Sequence, residues 1–246
     1  VMVRENVNKA EHVHSVFSQI AGRYDFMNSV LSFQQHRLWR RFAMRQLQIP
    51  AAGKVLDVAA GTGAWTFALA ETVGEDGRVV GLDFCKEMLD VARVRQNEMK
   101  TPSDHVLFIE GNAMEMPFQD NEFDVATIGF ALRNVPDVRQ CLSEMMRVIK
   151  PGGTVVSLEL SKPQIPVFRQ MYYFYFQKIL PYLGAMAVGS KTPYAWLPES
   201  LADFPDRIRL EGIFREVGLQ RVRSYALTGG IAALHIGLKP EESTAP

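Results

Sequence analysis

The chain has 246 residues, enough for one large domain with a sizeable core, and its 27 basic and 27 acidic side chains cancel. That balance excludes the broad positive field of a nucleic-acid-binding surface. Its two cysteines, Cys85 and Cys141, are too few for a disulfide framework and lack metal-ligand spacing, so no metal site is expected and a reducing, cytoplasmic setting is.

The ends, 1–9 and 241–246, read as disordered. Apolar residues recur at helical spacing over 13–20 and 35–47, which predicts two helices ahead of the first strand. Arg37, Arg40, Arg41 and Arg45 interleave the second and read as a solvated basic face. Between and across them runs Tyr24-Asp-Phe-Met-Asn-Ser-Val-Leu-Ser-Phe-Gln-Gln-His-Arg-Leu-Trp39, dense in groups that donate, accept or stack; a capped helical hairpin is its plainer reading.

Lys54-Val-Leu-Asp-Val-Ala-Ala-Gly-Thr-Gly63 is an apolar run ending in two glycines, and it passes directly into Ala64-Trp-Thr-Phe-Ala-Leu-Ala-Glu71, so it predicts strand, tight turn and helix. Gly61 and Gly63 free the turn from Cβ constraints and let a ligand approach the N–H groups at the helix start. A dinucleotide fingerprint asks for a third glycine where Thr66 stands, which counts against NAD. Asp57, inside the apolar strand, needs hydrogen bonds from the loop or from a ligand.

Residues 77–83 predict a second strand ending in Asp83, the position from which an acid can accept from both ribose hydroxyls; capping the next helix, 86–99, is the alternative. A third strand, 106–109, precedes a loop in which Asn112 can read an adenine amine and Ala113 offers a backbone N–H. A fourth, 123–129, exits through Phe130-Ala-Leu-Arg-Asn-Val-Pro136 into a helix over 137–149. Lys150-Pro-Gly-Gly153 then predicts a sharp turn into a fifth strand, 154–160. Alternating strands and helices predict a parallel sheet covered on both faces, with ligands at the carboxyl ends of the strands, where Gly61, Asp83, Asn112, Arg133 and Glu159 converge.

Residues 165–183 place Phe168, Tyr172, Tyr173, Phe174, Tyr175, Phe176 and Tyr182 around much of a helix, which is either packed between sheet and neighbours or a lid over an apolar ligand. A helix over 206–217 and two strands, 219–227 and 231–239, joined at Thr228-Gly229-Gly230, complete the chain as an antiparallel hairpin at the sheet edge.

This layout resembles the Rossmann-like class I S-adenosylmethionine-dependent methyltransferases: an α/β fold with a seven-stranded, mostly parallel sheet and an antiparallel last strand. Tyr24-Asp25, Met27-Asn28, Ser32, His36 and Trp39 match the amino-terminal signature of the quinone-biosynthesis C-methyltransferases, and Arg147-Val-Ile-Lys-Pro-Gly-Gly153 with Glu159 and Ser161 matches their second. Ser32-Phe-Gln-Gln-His36, Ile128-Gly-Phe-Ala-Leu-Arg-Asn-Val-Pro136 and Gly229-Gly-Ile-Ala-Ala-Leu-His235 look most like the menaquinone branch of Gram-positive bacteria. The resemblance implies a single domain, 1–246, with a helical cap (11–48), a cofactor-binding core (53–160), a helical lid insertion (162–205) and a C-terminal helix and hairpin (206–239). It also implies S-adenosyl-L-methionine as cofactor, with contacts at Thr62, Asp83, Asn112 and Ala113 beside Asp57, Gly61 and Gly63. The implied reaction methylates a ring carbon of a prenylated demethylmenaquinol.

For that reaction Arg133 and Asn134 are the groups expected to face the ring and polarise the quinol oxygens. His36, Asp25 or a water is the expected base, and Tyr24 completes the candidate catalytic set. A ubiquinone precursor, another lipophilic ring and a non-catalytic nucleotide-binding scaffold stay open as alternatives. No stretch reads as a signal peptide or reaches the roughly 18 to 20 apolar residues that span a bilayer. The expectation is therefore a soluble cytoplasmic protein, with contact to the inner face of the membrane and homo-oligomerisation left open.

Overall fold

A computed structural model describes residues 11, 13–101, 104–164, 166–175, 178 and 200–241. Its centre is a seven-stranded sheet of order β3-β2-β1-β4-β5-β7-β6. The strands are β1 (Lys54–Val58), β2 (Arg78–Asp83), β3 (Val106–Glu110), β4 (Phe123–Gly129), β5 (Ile149–Leu160), β6 (Gln220–Leu227) and β7 (Ala232–Leu238). β1 to β5 pair in parallel, and β7 inserts antiparallel between β5 and β6.

Helices cover both faces. Residues 13–20 form α1, followed by α2 (Tyr24–Leu31), α3 (Gln35–Gln46), α4 (Ala64–Val73), α5 (Lys86–Met99), α6 (Val138–Val148), α7 (Pro166–Phe174) and α8 (Arg207–Glu216). Side chains of α3, α4 and α5 join one core layer around Val55, Val125 and Val156. Those of α6 and α8 join the other, around Leu56, Ala126 and Val155. Successive strand residues point to opposite faces, so the near-continuous apolar runs of β1 and β4 feed both layers. Asp137 and Asp206 start α6 and α8 by accepting backbone N–H bonds, so these helices begin one residue later than their periodicity predicts.

Two local readings need correction. The polar stretch after α1 contains a complete helix, α2, separated from α3 by Phe33 and Gln34 in the left-handed region (φ 47° and 64°). The Lys150–Gly153 turn lies within β5: Ile149 pairs with Phe123 and Thr154 with Val125, so extra residues bulge out between these pairs. Gly153 permits it, because a Cβ there would stand 2.7 Å from the Lys150 carbonyl and 2.8 Å from that of Asp124. Of the aromatic segment, Tyr172 is buried against Leu201 and Phe174 is exposed; Phe176 and Tyr182 lie outside the described residues, as does most of the 162–205 insertion.

Candidate active site

The turn after β1 takes the backbone that its glycines permit. Gly61 and Gly63 have φ of 56° and 78°, and a Cβ on Gly63 would stand 2.8 Å from Phe67 and 2.9 Å from Phe108. Gly61 N–H donates to Asp83 Oδ2 (2.8 Å) and Cys85 N–H to Asp83 Oδ1 (2.9 Å), so two loops fix one carboxylate at the end of β2. Burial pushes the Asp83 carboxyl up to about 6 against these donors. Asp57 is likewise raised to about 6 by burial. It faces Thr127 across the parallel register and accepts from Thr127 Oγ1 (2.9 Å) and Thr66 Oγ1 (2.7 Å). The residue in the third-glycine position therefore serves as a donor to the buried acid.

A cavity of about 330 Å³ opens at the carboxyl ends of β1 to β4. Gly61, Asp83, Asn112, Ala113 and Asn134 line it, and Phe17 and Tyr24 from the helical cap form its roof. Asn112 Oδ1 accepts from Met114 N–H (2.9 Å), which leaves one carbonyl lone pair and the amide N–H groups for a ligand. A second pocket, of about 50 Å³, is lined by Asp25, His36, Arg40, Asp57 and Thr62. Tyr24 and Phe130 border both spaces.

The candidate bases differ in how they are held. Asp25 accepts from Thr62 Oγ1 (2.9 Å) and pairs with Arg95, while Arg95 also donates to the Thr62 carbonyl (3.3 Å). This carboxylate ties the cap to the glycine turn and to α5. For His36 the hydrogen bonds define the tautomer. Ser32 Oγ donates to the Asn28 carbonyl (2.5 Å), so its lone pair receives the Nδ1–H of His36 (2.7 Å) and Nε2 carries the free lone pair. Burial and the neighbouring Arg40 and Arg37 lower His36 to about 4, so the ring is neutral near pH 7.

Arg133 is placed differently from the expectation. Its guanidinium does not line either cavity but forms a buried ion pair, Nη1 to Glu159 Oε1 at 2.5 Å, and also donates to the Phe130 carbonyl (2.6 Å). Glu159 is 1 % exposed and further accepts from Arg133 N–H (3.2 Å) and Leu160 N–H (2.7 Å). The alternative partner, Asp137, caps α6 instead. Asn134, the next residue, does reach the large cavity. Tyr24 hydrogen-bonds Asn28, and burial raises its phenol. Trp39 donates through Nε1 to Thr228 Oγ1 (2.8 Å), anchoring α3 to the β6–β7 turn. Arg40, expected on a solvated basic face, is instead half-buried, and the one sign of it is that it lies four residues, one helical turn, after His36; nothing in the sequence marks Arg95.

The sequence profile of the ubiE/COQ5 methyltransferase family matches residues 5–239. The demethylmenaquinone methyltransferase of Staphylococcus haemolyticus (strain JCSC1435) is 44% identical over 240 residues, 98% of this chain and 99% of that protein. That of Bacillus cereus (strain ATCC 10987 / NRS 248) is 49% identical over 234 residues, 95% and 98% of the two chains. Among solved structures, a SAM-dependent methyltransferase from Aquifex aeolicus superposes with a TM-score of 0.60 at 20% identity, over 81% of this chain and 88% of that one. Haemonchus contortus phosphoethanolamine N-methyltransferase 2, with S-adenosyl-L-methionine bound, gives 0.61 at 16% identity, over 82% and 52%. These two establish the shared Rossmann-like fold. By the extent of the profile match and the identity to full-length relatives, the chain belongs to the ubiE/COQ5 methyltransferase family.

Proposed function

We propose that this S-adenosylmethionine-dependent methyltransferase methylates a ring carbon of a prenylated demethylmenaquinol. The carrying observation is near-full-length identity of 44–49% to relatives named for that substrate. The site fits the cofactor: the large cavity has the size of a nucleoside pocket, and its buried carboxylate, Asp83, stands where ribose hydroxyls can donate to it. Asp83, Asn112 and Ala113 hold the nucleoside, and Gly61, Thr62, Gly63 and Asp57 shape the turn beneath the rest. When bound, the cofactor supplies an electrophilic methyl on a sulfonium.

The residues then have three tasks. Tyr24 and Phe130 line both spaces and hold the ring against the methyl, and alignment of this kind is worth on the order of 7 to 11 kcal/mol. Asn134 donates to a quinol oxygen from the large cavity. His36 accepts the hydroxyl proton at Nε2. A phenol titrates near 10 and His36 about 4, so the proton does not rest on the imidazole in the ground state. It would cross to Nε2 during methyl transfer, when the hydroxyl becomes strongly acidic. The ring-carbon proton then leaves to solvent and His36 returns its proton to the ring oxygen, which restores the aromatic quinol.

Contact with a lipid surface is part of the same reading. Phe33, Leu38 and Phe174 are 68%, 54% and 60% exposed, Arg37 and Arg41 lie exposed on α3, and the Phe33 and Tyr175 rings meet at 5.9 Å. Aromatic and basic side chains together suit an anionic membrane face that stores the prenylated acceptor. Among the described residues no helix is long and apolar enough to cross a membrane. The test is methyl transfer to short-tailed demethylmenaquinol and demethoxyubiquinol analogues under reducing conditions, with mass analysis of the methylated atom. Transfer to the naphthoquinol ring carbon is expected; exclusive use of the benzoquinol, or none of either, overturns the substrate assignment.

A further inference from the structure

Arg40 is an unusual cation. It projects from α3 toward the start of α4, where Nη1 donates to the Ala64 carbonyl (3.1 Å). Its Nε is buried and has no hydrogen-bond partner among the described residues. No described carboxylate lies within ion-pairing distance of it, although Asp57, Asp25 and Tyr24 act on it electrostatically and Arg37 opposes them. Asp57 accepts from two threonine hydroxyls, and Asp25 accepts from Thr62 and pairs with Arg95. Arg40 is half-buried, and a guanidinium whose Nε is cut off from water without a partner gains when an anion arrives.

The pocket that Arg40 lines indicates which anion. The sulfur of S-adenosylmethionine carries an adenosyl arm, the methyl and an amino-acid arm ending in a carboxylate. The large cavity, with Asp83 and Asn112, takes the adenosyl arm, and the small pocket beside Thr62 is the adjoining space, with Tyr24 and Phe130 common to both. The amino-acid arm therefore enters the pocket that contains Arg40 and Asp57. We propose that Arg40 receives the α-carboxylate of the cofactor, completing with a charged hydrogen bond the guanidinium that the protein leaves partly unpartnered. Asp57 retains lone pairs in the same pocket for the α-ammonium group. This inference rests on the cofactor assignment and adds a residue that neither the glycine turn nor the family signatures point to.

Calorimetry on the full chain tests it with three ligands: S-adenosylhomocysteine, its decarboxylated analogue, which keeps the amine, and 5′-methylthioadenosine, which lacks the amino-acid arm. The unmodified protein should bind S-adenosylhomocysteine about ten- to a hundredfold more tightly than the decarboxylated analogue, the range for charged hydrogen bonds. Arg40→Met should lose that preference while keeping methylthioadenosine affinity within about twofold, and Arg40→Lys should recover part of it. Equal binding of the carboxylated and decarboxylated ligands by the unmodified protein overturns the proposal, even if Arg40→Met fails to fold. So does a folded Arg40→Met protein that loses methylthioadenosine as strongly as S-adenosylhomocysteine, which marks a role in shaping the pocket. Failure of the unmodified protein to bind any of the three would refute the cofactor assignment itself.

Discussion

Replacing Arg133 with Met should act first on stability. The guanidinium and Glu159 are 6% and 1% exposed and meet at 2.5 Å. Removing one member of such a pair strands the other charge and typically destabilises by about 3–5 kcal/mol. At roughly 2–4 °C per kcal/mol for a domain of this size, Arg133→Met should melt about 6–20 °C below the unmodified protein. Glu159 also accepts two backbone N–H bonds, from Arg133 and Leu160. The informative partner is therefore Glu159→Gln, which removes the charge and keeps an acceptor. The double variant should recover at least about 2 kcal/mol relative to Arg133→Met alone, measured as a double-mutant cycle in urea. Turnover should fall with the loss of the loop that Arg133 holds through the Phe130 carbonyl and that carries Asn134 into the cavity. If Arg133→Met melts within 2 °C of the unmodified protein yet loses about a hundredfold in turnover, with cofactor affinity unchanged, the ion pair is incidental. The guanidinium would then act directly on the acceptor, as the loop position first suggested.

Asp83→Ala should weaken S-adenosylhomocysteine binding by about ten- to a hundredfold in a folded protein, read by calorimetry. Because the Asp83 and Asp57 carboxyls sit at about 6 in the cofactor-free protein, above their ordinary 3.8, affinity for a ligand that donates to ionised Asp83 should rise between pH 5 and 7 and level off above. The same shifts favour the empty fold below pH 3.8, and that contribution is lost as pH rises through 6; a pH-independent dissociation constant would contradict the assignment. Ser32→Ala frees the His36 ring, so turnover should drop about tenfold while cofactor affinity holds; full turnover would remove His36 Nε2 from the mechanism. Phe33→Ser with Leu38→Ser should reduce co-sedimentation with anionic vesicles without changing cofactor binding, whereas unchanged co-sedimentation would move the lipid contact elsewhere.

The sheet was readable because parallel strands buried on both faces are continuous apolar runs, and the position of Asp83 because it closes one of them. What escaped depends on distances the chain hides. Arg133 and Glu159 are 26 residues apart and meet only because β4 and β5 are neighbours. The nearer Asp137 was the natural local guess. Lys150–Gly153 resembles a free turn until Ile149 is seen paired with Phe123. α2 does not stand out as a separate helix in the hairpin because it has only eight residues and the short step through Phe33 and Gln34 joins it to α3.

That polar density has a structural cause. Asn28, Ser32, His36 and Arg40 recur every four residues, a spacing that keeps side chains near one face of a helix, and the left-handed step at Phe33 and Gln34 folds the face inward without dispersing it. Asn28, His36 and Arg40 all line the small pocket, with Ser32 behind His36. One helical hairpin thus holds the hydrogen-bonded Ser32–His36 pair and the half-buried Arg40, while Tyr24 lines both spaces and Asp25 fastens the hairpin to Thr62 and Arg95.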